Sequence, residues 1–310
     1  MIYLWRIVNI KWIFLITQIT VKVLNMNNNN LKYIAIFLAV IMVGAVFAIA
    51  FTAISPPEQN DEQEQERMDP IPFNAIPGET VNSPINSISD ALDLTPGEVA
   101  SAQFVDVSKV RGTSFEMLFG ESLDNIERMF NSKLINTYIV TGQQSSFELS
   151  TIEDDHIGIP FGEPYMHKDY PILPVGEAYF MSIGTPMALG QQNDIESFID
   201  IIVEEKEGND QFESILEYAD VNEHKFQQVI GSGNNHFDLL YVGYAGTDTN
   251  EYARQAIYEN PSEELVELID DLSETDNLEY TVEEIDDILK VTIQGSFELV
   301  LSEPIEPDEM

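Results

Sequence analysis

YIVTGQQSSFELSTIE at residues 138–153 and LKVTIQGSFELVLSEP at residues 289–304 align with a small gap and share the tetrapeptide SFEL. Apolar and polar residues alternate in both stretches, and a period of two residues is typical of strands that bury one face. The alternation predicts antiparallel strand pairs at 135–141 with 146–151 and at 288–293 with 296–301. Two such pairs indicate a fold that is rich in antiparallel sheet.

The residues before the first strand pair predict a further pair and a helix. Residues 103–110 and 113–119 alternate like two strands that are joined by a short turn. A helix is expected at 123–134, because apolar residues recur there with helical spacing on one face. The predicted order of elements over residues 87–152 is therefore ββαββ.

The C-terminal part repeats this order. Residues 237–244 and 252–258 have the pattern of strands, and Asn260 followed by Pro261 is typical of the start of a helix. With the second strand pair, these elements predict a second ββαββ module at 236–303, which indicates an internal duplication. The alternative is that short amphipathic strands resemble one another by chance.

The middle segment, residues 153–235, is expected to contain a strand and several helices. Residues 177–183 alternate like a strand, and residues 194–205 carry an apolar stripe with helical spacing. Shorter helices are expected at 211–218 and 224–230. The predicted fold class is α+β, with antiparallel-sheet domains, two ββαββ-like modules and a helical middle segment.

Charge is sorted along the chain. No Asp or Glu precedes residue 56, and four of the 14 Lys and Arg residues lie before it, which leaves ten bases against 54 acids and a net charge of −44. Such a surface repels itself in dilute buffer, whereas molar salt shortens the Debye length to about 3 Å and screens the repulsion. We therefore expect adaptation to high salt, with solvent cations as partners. An acidic protein from an ordinary environment is the alternative.

The same composition excludes several classes of protein. A nucleic-acid binder needs a basic face, and the sequence has no basic cluster after Lys32. The chain contains no cysteine, which excludes disulfides, zinc–thiolate sites, iron–sulfur clusters and a lipid anchor on cysteine. We expect neither a nucleic-acid partner nor a cofactor.

Residues 33–54, YIAIFLAVIMVGAVFAIAFTAI, contain no charged side chain over 22 positions. A helix of that length reaches roughly 33 Å, which is enough to cross the hydrocarbon core of a lipid bilayer. Lys32 precedes the run and acidic residues follow it, so the positive-inside rule places the acidic part outside the cytoplasm. We expect a retained signal-anchor at 26–54 in the cell membrane. Cleavage after the small residues Ala48 and Ala50 is the alternative.

The segments around the expected anchor are less regular. Residues 1–25 are either a mis-assigned start, with translation beginning at Met26, or a short interfacial helix. Residues 55–86 are rich in Pro, Gln and Glu, which predicts a flexible acidic spacer, and a short helix is expected at 87–94. Residues 304–310 are expected to form an acidic tail.

The histidines provide one weak candidate for a metal site. Asp155 and His156 lie in a loop-rich stretch and could converge with His167 on a cation. No two histidines are four residues apart, so the sequence contains no helical zinc motif. With 54 acids in the chain, a carboxylate beside a histidine is expected by chance, and solvated loop residues are the alternative.

A second weak candidate is a loop with oxygen ligands. Asp248, Asn250 and Glu251 in GTDTNEY offer carboxylate and amide oxygens, which Ca²⁺ prefers. This pattern favours weak binding of Ca²⁺ or another cation, and a hairpin loop with solvated acids is the alternative. The sequence contains no EF-hand loop, serine nucleophile elbow or phosphate-binding glycine loop.

The composition and topology resemble those of uncharacterised single-span, acid-rich surface proteins of halophilic methanogenic archaea, and the high Ile and Asn usage contributes to the resemblance. The resemblance implies a surface location and no particular activity. Without a catalytic constellation, a non-enzymatic interaction or envelope-associated module with an unknown protein partner is favoured. Two alternatives stay open. One is a surface domain that binds a solute or a divalent cation. The other is a hydrolase that uses a pair of carboxylates, which the spacing of residues in the sequence does not identify.

Overall fold

The structure is a computed structural model. It describes residues 69–141, 146–176, 178–231, 235–246, 251–273 and 278–306. The expected interfacial segment, the expected anchor and residues 55–68 of the expected spacer therefore lie outside the described residues. Among the residues described, no helix combines the length and the apolar character that crossing a bilayer requires.

Strands dominate the described residues. In chain order they are β1 (Ile71–Pro72), β2 (Val81–Asn82), β3 (Ser101–Asp106), β4 (Leu134–Thr141), β5 (Ser146–Ile152), β6 (His156–Ile157), β7 (Tyr165–His167), β8 (Tyr170–Val175), β9 (Tyr179–Ser182), β10 (Gly184–Thr185), β11 (Met187–Gly190), β12 (Phe226–Gly231), β13 (Leu239–Gly246), β14 (Tyr252–Glu259), β15 (Glu279–Ile285) and β16 (Ile288–Gly295). Twelve of them form one antiparallel sheet in the order β15-β16-β14-β13-β12-β3-β4-β5-β11-β9-β8-β7. The remaining strands form the pairs β1–β6 and β2–β10.

Helices cover both faces of this sheet. They are α1 (Ile88–Leu92), α2 (Val107–Val110), α3 (Glu116–Phe130), α4 (Gln192–Ile202), α5 (Glu213–Leu216), α6 (Glu263–Ser273) and α7 (Phe297–Ser302). Apolar side chains of α3, α6 and α7 pack in one core, on what we call the front face, and those of α1, α4 and α5 pack in a second core on the back face. Alternate strand residues serve the two cores, as Leu240 and Val242 in front and Tyr241 behind illustrate. The fold is therefore α+β with a large antiparallel sheet, as predicted.

The first predicted ββαββ module is wrong. Residues 113–119, predicted as a strand, lead into and begin α3, which starts at Glu116 and ends at Phe130 rather than spanning 123–134. Helical spacing explains the difference, because the apolar stripe of α3 extends back through Phe119 to Phe115, and both side chains are buried. The observed order is β3-α2-α3-β4-β5.

The second module keeps the order ββαββ but uses a different strand. Residues 279–285, for which no element was predicted, form β15 and pair with β16. The predicted strand at 296–301 is instead α7. The tetrapeptide SFEL therefore begins a strand in β5, whereas in the second copy its Ser296 precedes α7. In α6 the hydroxyl group of Ser262, rather than the predicted Asn260, caps the first turn and accepts from the Leu265 N–H at 3.2 Å.

The middle segment adds strands as well as helices to the same sheet. The predicted strand at 177–183 and the helices at 194–205 and 211–218 correspond to β9, α4 and α5. Residues 224–230, predicted as a helix, include most of β12 instead, which pairs with β13 and β3 near the centre of the sheet. Gln227 and Val229 are fully buried in alternating positions, which is the period of a strand.

Both ends of the described chain belong to the fold. In the predicted spacer, Phe73, Ile76, Val81 and Ile85 are buried, and the Val81 N–H donates to the Ile183 carbonyl at 3.0 Å. Residues 69–86 therefore pack on the sheet rather than extending as a spacer. The short helix expected at 87–94 is present as α1. The predicted acidic tail also begins too early, since Pro304 is buried.

Candidate functional site

The histidines do not converge on a cation in the described residues. Asp155 is exposed, and His156 at the start of β6 has its Nε2 atom 3.2 Å from the Asn131 carbonyl oxygen. His167 contacts a different partner, because its Nε2 atom lies 2.8 Å from Oδ1 of Asp200 on α4. That pair ties the short strand β7 to a helix, which is a structural role.

The predicted oxygen-ligand loop is only partly described. Asp248 and Asn250 lie outside the described residues, and Glu251 is exposed immediately before β14. Within the ranges that the structure describes, no three His, Cys, Asp or Glu residues are grouped so that they could hold a metal ion. The calcium prediction therefore stays a prediction.

Burial of Glu148 on β5 was not predicted from the sequence. Its side chain is 8% exposed and lies between Ile139 on β4 and Leu189 on β11. Burial raises the pKa of the Glu148 carboxyl group to about 7, against the opposing effect of a 2.7 Å hydrogen bond that Ser150 donates.

A buried histidine lies on the back face. His224 is 5% exposed, and its Nδ1 atom is 2.7 Å from the hydroxyl group of Tyr241. Burial lowers the pKa of His224 to about 4, so the ring is neutral near neutral pH. The side-chain amide of Gln227 donates to the His224 and Val221 carbonyls and accepts from the Ile88 N–H, which joins the preceding loop to α1.

A buried arginine holds the C-terminal segment. Arg254 on β14 is 3% exposed and donates to the main-chain carbonyls of Glu303 and Pro304. The hydroxyl group of Tyr258 donates to the Ile305 carbonyl at 2.9 Å, and Tyr280 donates to the Glu303 carboxylate. These contacts hold the residues after α7 against the sheet, and the guanidinium group of Arg254 donates its hydrogen bonds to main-chain carbonyls.

The most exposed element of the sheet is its β15 edge, Glu279–Ile285, which we call the open edge. No strand among the described residues pairs with its outer side. Five of its seven residues are exposed, including Val282, which is 36% exposed. Other exposed residues are Glu279, Glu283 and Glu284. A sheet edge of this kind presents unpaired main-chain N–H and C=O groups with which an additional strand can pair.

Comparisons with known proteins provide no family. No family model matches the chain, and no curated protein matches it. Among solved structures, crystal form III of TP0453 is 11% identical with a TM-score of 0.44, and the alignment covers 71% of this chain and 98% of that chain. Crystal form I is 12% identical with a TM-score of 0.43, and the alignment covers 68% of this chain and 94% of that chain. At this level of similarity we draw no functional conclusion from them.

Proposed function

We propose that the chain is a membrane-anchored, extracytoplasmic acidic protein, adapted to high salt, whose sheet domain is a non-enzymatic interaction module of the cell envelope. The observation that carries this proposal is the sorting of charge. An acid-free leader with the uncharged stretch 33–54 precedes a remainder with a net charge of −44. Such a leader suits a single bilayer span with a cytoplasmic N-terminus, and it leaves the acidic domain outside.

The ion pairs support the salt adaptation. Among the residues that the structure describes, ion pairs with Asp or Glu are formed by Lys109, Arg111, Lys133, Lys168, Lys206 and Lys290. Over the full chain, 54 acidic residues stand against 14 basic ones, so most carboxylates have no basic side chain with which to pair. The large surplus of negative charge must be balanced by cations from the solvent, which are most abundant at high salt.

The buried titratable groups support a non-enzymatic role. Glu148, His224 and Arg254 each have a hydrogen-bond partner that belongs to the fold, namely a serine hydroxyl, a tyrosine hydroxyl and main-chain carbonyls. Groups used in this way hold loops and strands together. The open edge, in contrast, is an accessible surface suited to contact with another protein.

Protease treatment of intact cells tests the proposal. We would express the full chain with a C-terminal tag and with a site for a specific protease inserted between residues 60 and 61, so that a protease-resistant domain can still be released. We expect the tag to leave the cell pellet in native salt, while a cytoplasmic control protein stays intact. A tag that is released only after cell lysis contradicts the proposed topology.

A further inference from the structure

The geometry of the sheet points to a partner for the open edge. We propose that residues 279–285 bind an extended segment of another protein, with basic residues on one side and apolar residues on the other, as an additional strand beside β15. This inference rests on the proposed function, because it names the kind of partner that the interaction module would bind.

The register of the hairpin determines which main-chain groups are available. Asp286 and Asp287 form a two-residue loop, so Ile285 and Ile288 are a hydrogen-bonded pair. Such pairs recur at every second residue, and the N–H and C=O groups of Tyr280, Val282 and Glu284 therefore point away from β16. The 2.8 Å bond from the Asn260 N–H to the Asp287 carbonyl agrees with this register on the other side of β16. The edge thus offers alternating donors and acceptors to an added strand.

The other edge of the sheet is less suited to strand addition. It consists of β7, which has only three residues, Tyr165–His167. Both end residues are fastened to α4, because the Tyr165 hydroxyl group donates to Glu196 at 3.1 Å and His167 pairs with Asp200. The open edge is more than twice as long, and four successive residues from Thr281 to Glu284 are exposed.

Side-chain positions on the open edge specify the chemistry of the partner. Glu279 and Glu283 lie on the back side, opposite Gln294 and Lys290 of β16, and the front side carries Tyr280 and Val282, with Glu284 at its end next to the turn. An added strand with Lys or Arg at alternate positions would place its charges beside the two carboxylates. Its apolar residues would then cover Val282 and the exposed part of Tyr280, because residues opposite each other share a face.

Charge argues against a second copy of the chain as the occupant. Residues 279–287 contain five acids and no base, so pairing of two open edges would bring carboxylates together. The two chains would also repel each other through a net charge of −40 each. A basic segment would instead be attracted both by the carboxylates of the open edge and by the net negative charge of the chain.

A peptide titration tests the proposal. The probe is a fluorescent peptide of sequence Lys-Val-Lys-Thr-Lys-Val-Lys, titrated with the full chain in detergent at a KCl concentration at which the chain is folded. We expect saturable binding. Val282→Pro removes one outward N–H without removing a bond to β16, so it should weaken binding at least tenfold, whereas Val282→Ala should change binding by less than about threefold.

A charge variant covers the case in which the proline substitution disturbs folding. Glu279→Lys combined with Glu283→Lys changes two exposed side chains and should abolish binding of the lysine peptide. Three results would each overturn the proposal. The first is the absence of saturable binding, and the second is equal binding of the peptide by the native chain, Val282→Pro and the double lysine variant. The third is equal binding of a peptide with Glu in place of Lys. If light scattering shows a dimer that dissociates on substitution of Val282→Pro, the edge pairs with a second copy of the chain, and this result also overturns the proposal. Protease treatment that places the domain inside the cell refutes the proposed function but leaves the peptide result intact.

Discussion

The hydroxyl group of Ser150 donates a 2.7 Å hydrogen bond to the carboxyl group of Glu148, two residues earlier on the same face of β5. This bond favours the ionised carboxylate, but burial between two apolar neighbours favours the neutral acid and has the larger effect, so the pKa of Glu148 rises to about 7. In the unfolded chain the same group titrates near its ordinary pKa of 4.5. Between these two values the folded protein holds a proton that the unfolded chain has released.

Replacing Glu148 with Gln should remove a component of the pH dependence of stability. A raised pKa in the folded state means that Glu148 lowers the free energy of unfolding as the pH rises from 4.5 to about 7, by at most roughly 3 kcal/mol. Glu148→Gln cannot ionise at this position. Its free energy of unfolding, relative to that of the native chain, should therefore be higher at pH 8 than at pH 4.5. Urea unfolding in molar KCl measures this difference, with Glu279→Gln on the exposed edge as the control. Parallel pH profiles of the native chain and Glu148→Gln would contradict the assignment.

His224 should act in the opposite direction. Burial lowers its pKa from 6.5 to about 4, so the unfolded chain binds a proton in this window that the folded protein does not. The free energy of unfolding contributed by His224 therefore falls as the pH drops from 6.5 to 4, by at most roughly 3 kcal/mol. His224→Asn lacks the titrating ring and should lose this slope, even though the smaller side chain lowers stability at every pH. The slope is measured as the difference between urea unfolding at pH 4.5 and pH 6.5.

The pH ranges in which Glu148 and His224 change the free energy of unfolding overlap between pH 4.5 and 6.5, and there the two effects have opposite signs. In the native chain they should largely cancel. Each single variant should then reveal the slope of the other group, and the double variant should again be flatter. A double variant as steep as either single variant would show that other groups dominate this window.

The contacts of Arg254 predict a local effect at the C-terminus. Arg254→Met keeps the apolar part of the side chain but leaves the Glu303 and Pro304 carbonyls without their donor, which should cost about 1–3 kcal/mol. Hydrogen exchange of residues 297–306 should accelerate more than exchange in β4 and β5. Lys109→Met, which removes an ion pair whose lysine is 46% exposed, is the control and should cost less than about 1 kcal/mol. Uniform acceleration across the sheet would argue against a local clamp.

The sequence predicts the sheet-rich class and several elements because their patterns are local. The apolar stripes of α4 and α6 follow from one buried helix face, and the structure confirms both helices. The predicted strands β4, β13 and β14 are also confirmed, although the sheet is buried on both faces there. The two SFEL segments show where this reasoning fails. Leu149 is fully buried between β4 and β11, whereas Leu299 on α7 is 40% exposed, so the neighbouring strands rather than the tetrapeptide itself determine the conformation.

The candidate site could not be predicted for a related reason. The residues of β15, EYTVEEI, lack the alternating buried face that identifies most strands, since this edge buries little of itself. Burial of Glu148 and Arg254 likewise leaves no local signature among 54 acids and 14 bases. Residues 279–285 can be identified as an accessible edge strand only from their pairing with β16 and from the position of β15 at the end of the sheet.

Salt should have its greatest effect where fixed positive charge is removed. Arg111 lies 2.9 Å from Glu116, 2.7 Å from Asp124 and 3.3 Å from Glu127, all on α3. Without the arginine these carboxylates repel one another, and salt screens that repulsion. Stability of the native chain should therefore rise between 0.2 and 3 M KCl, and Arg111→Met should lose more stability at the lower concentration. Adding Asp124→Asn should partly restore the variant in 0.2 M KCl and have little effect in 3 M KCl, as measured by thermal unfolding. Equal stability of the native chain at both concentrations would remove the case for salt adaptation.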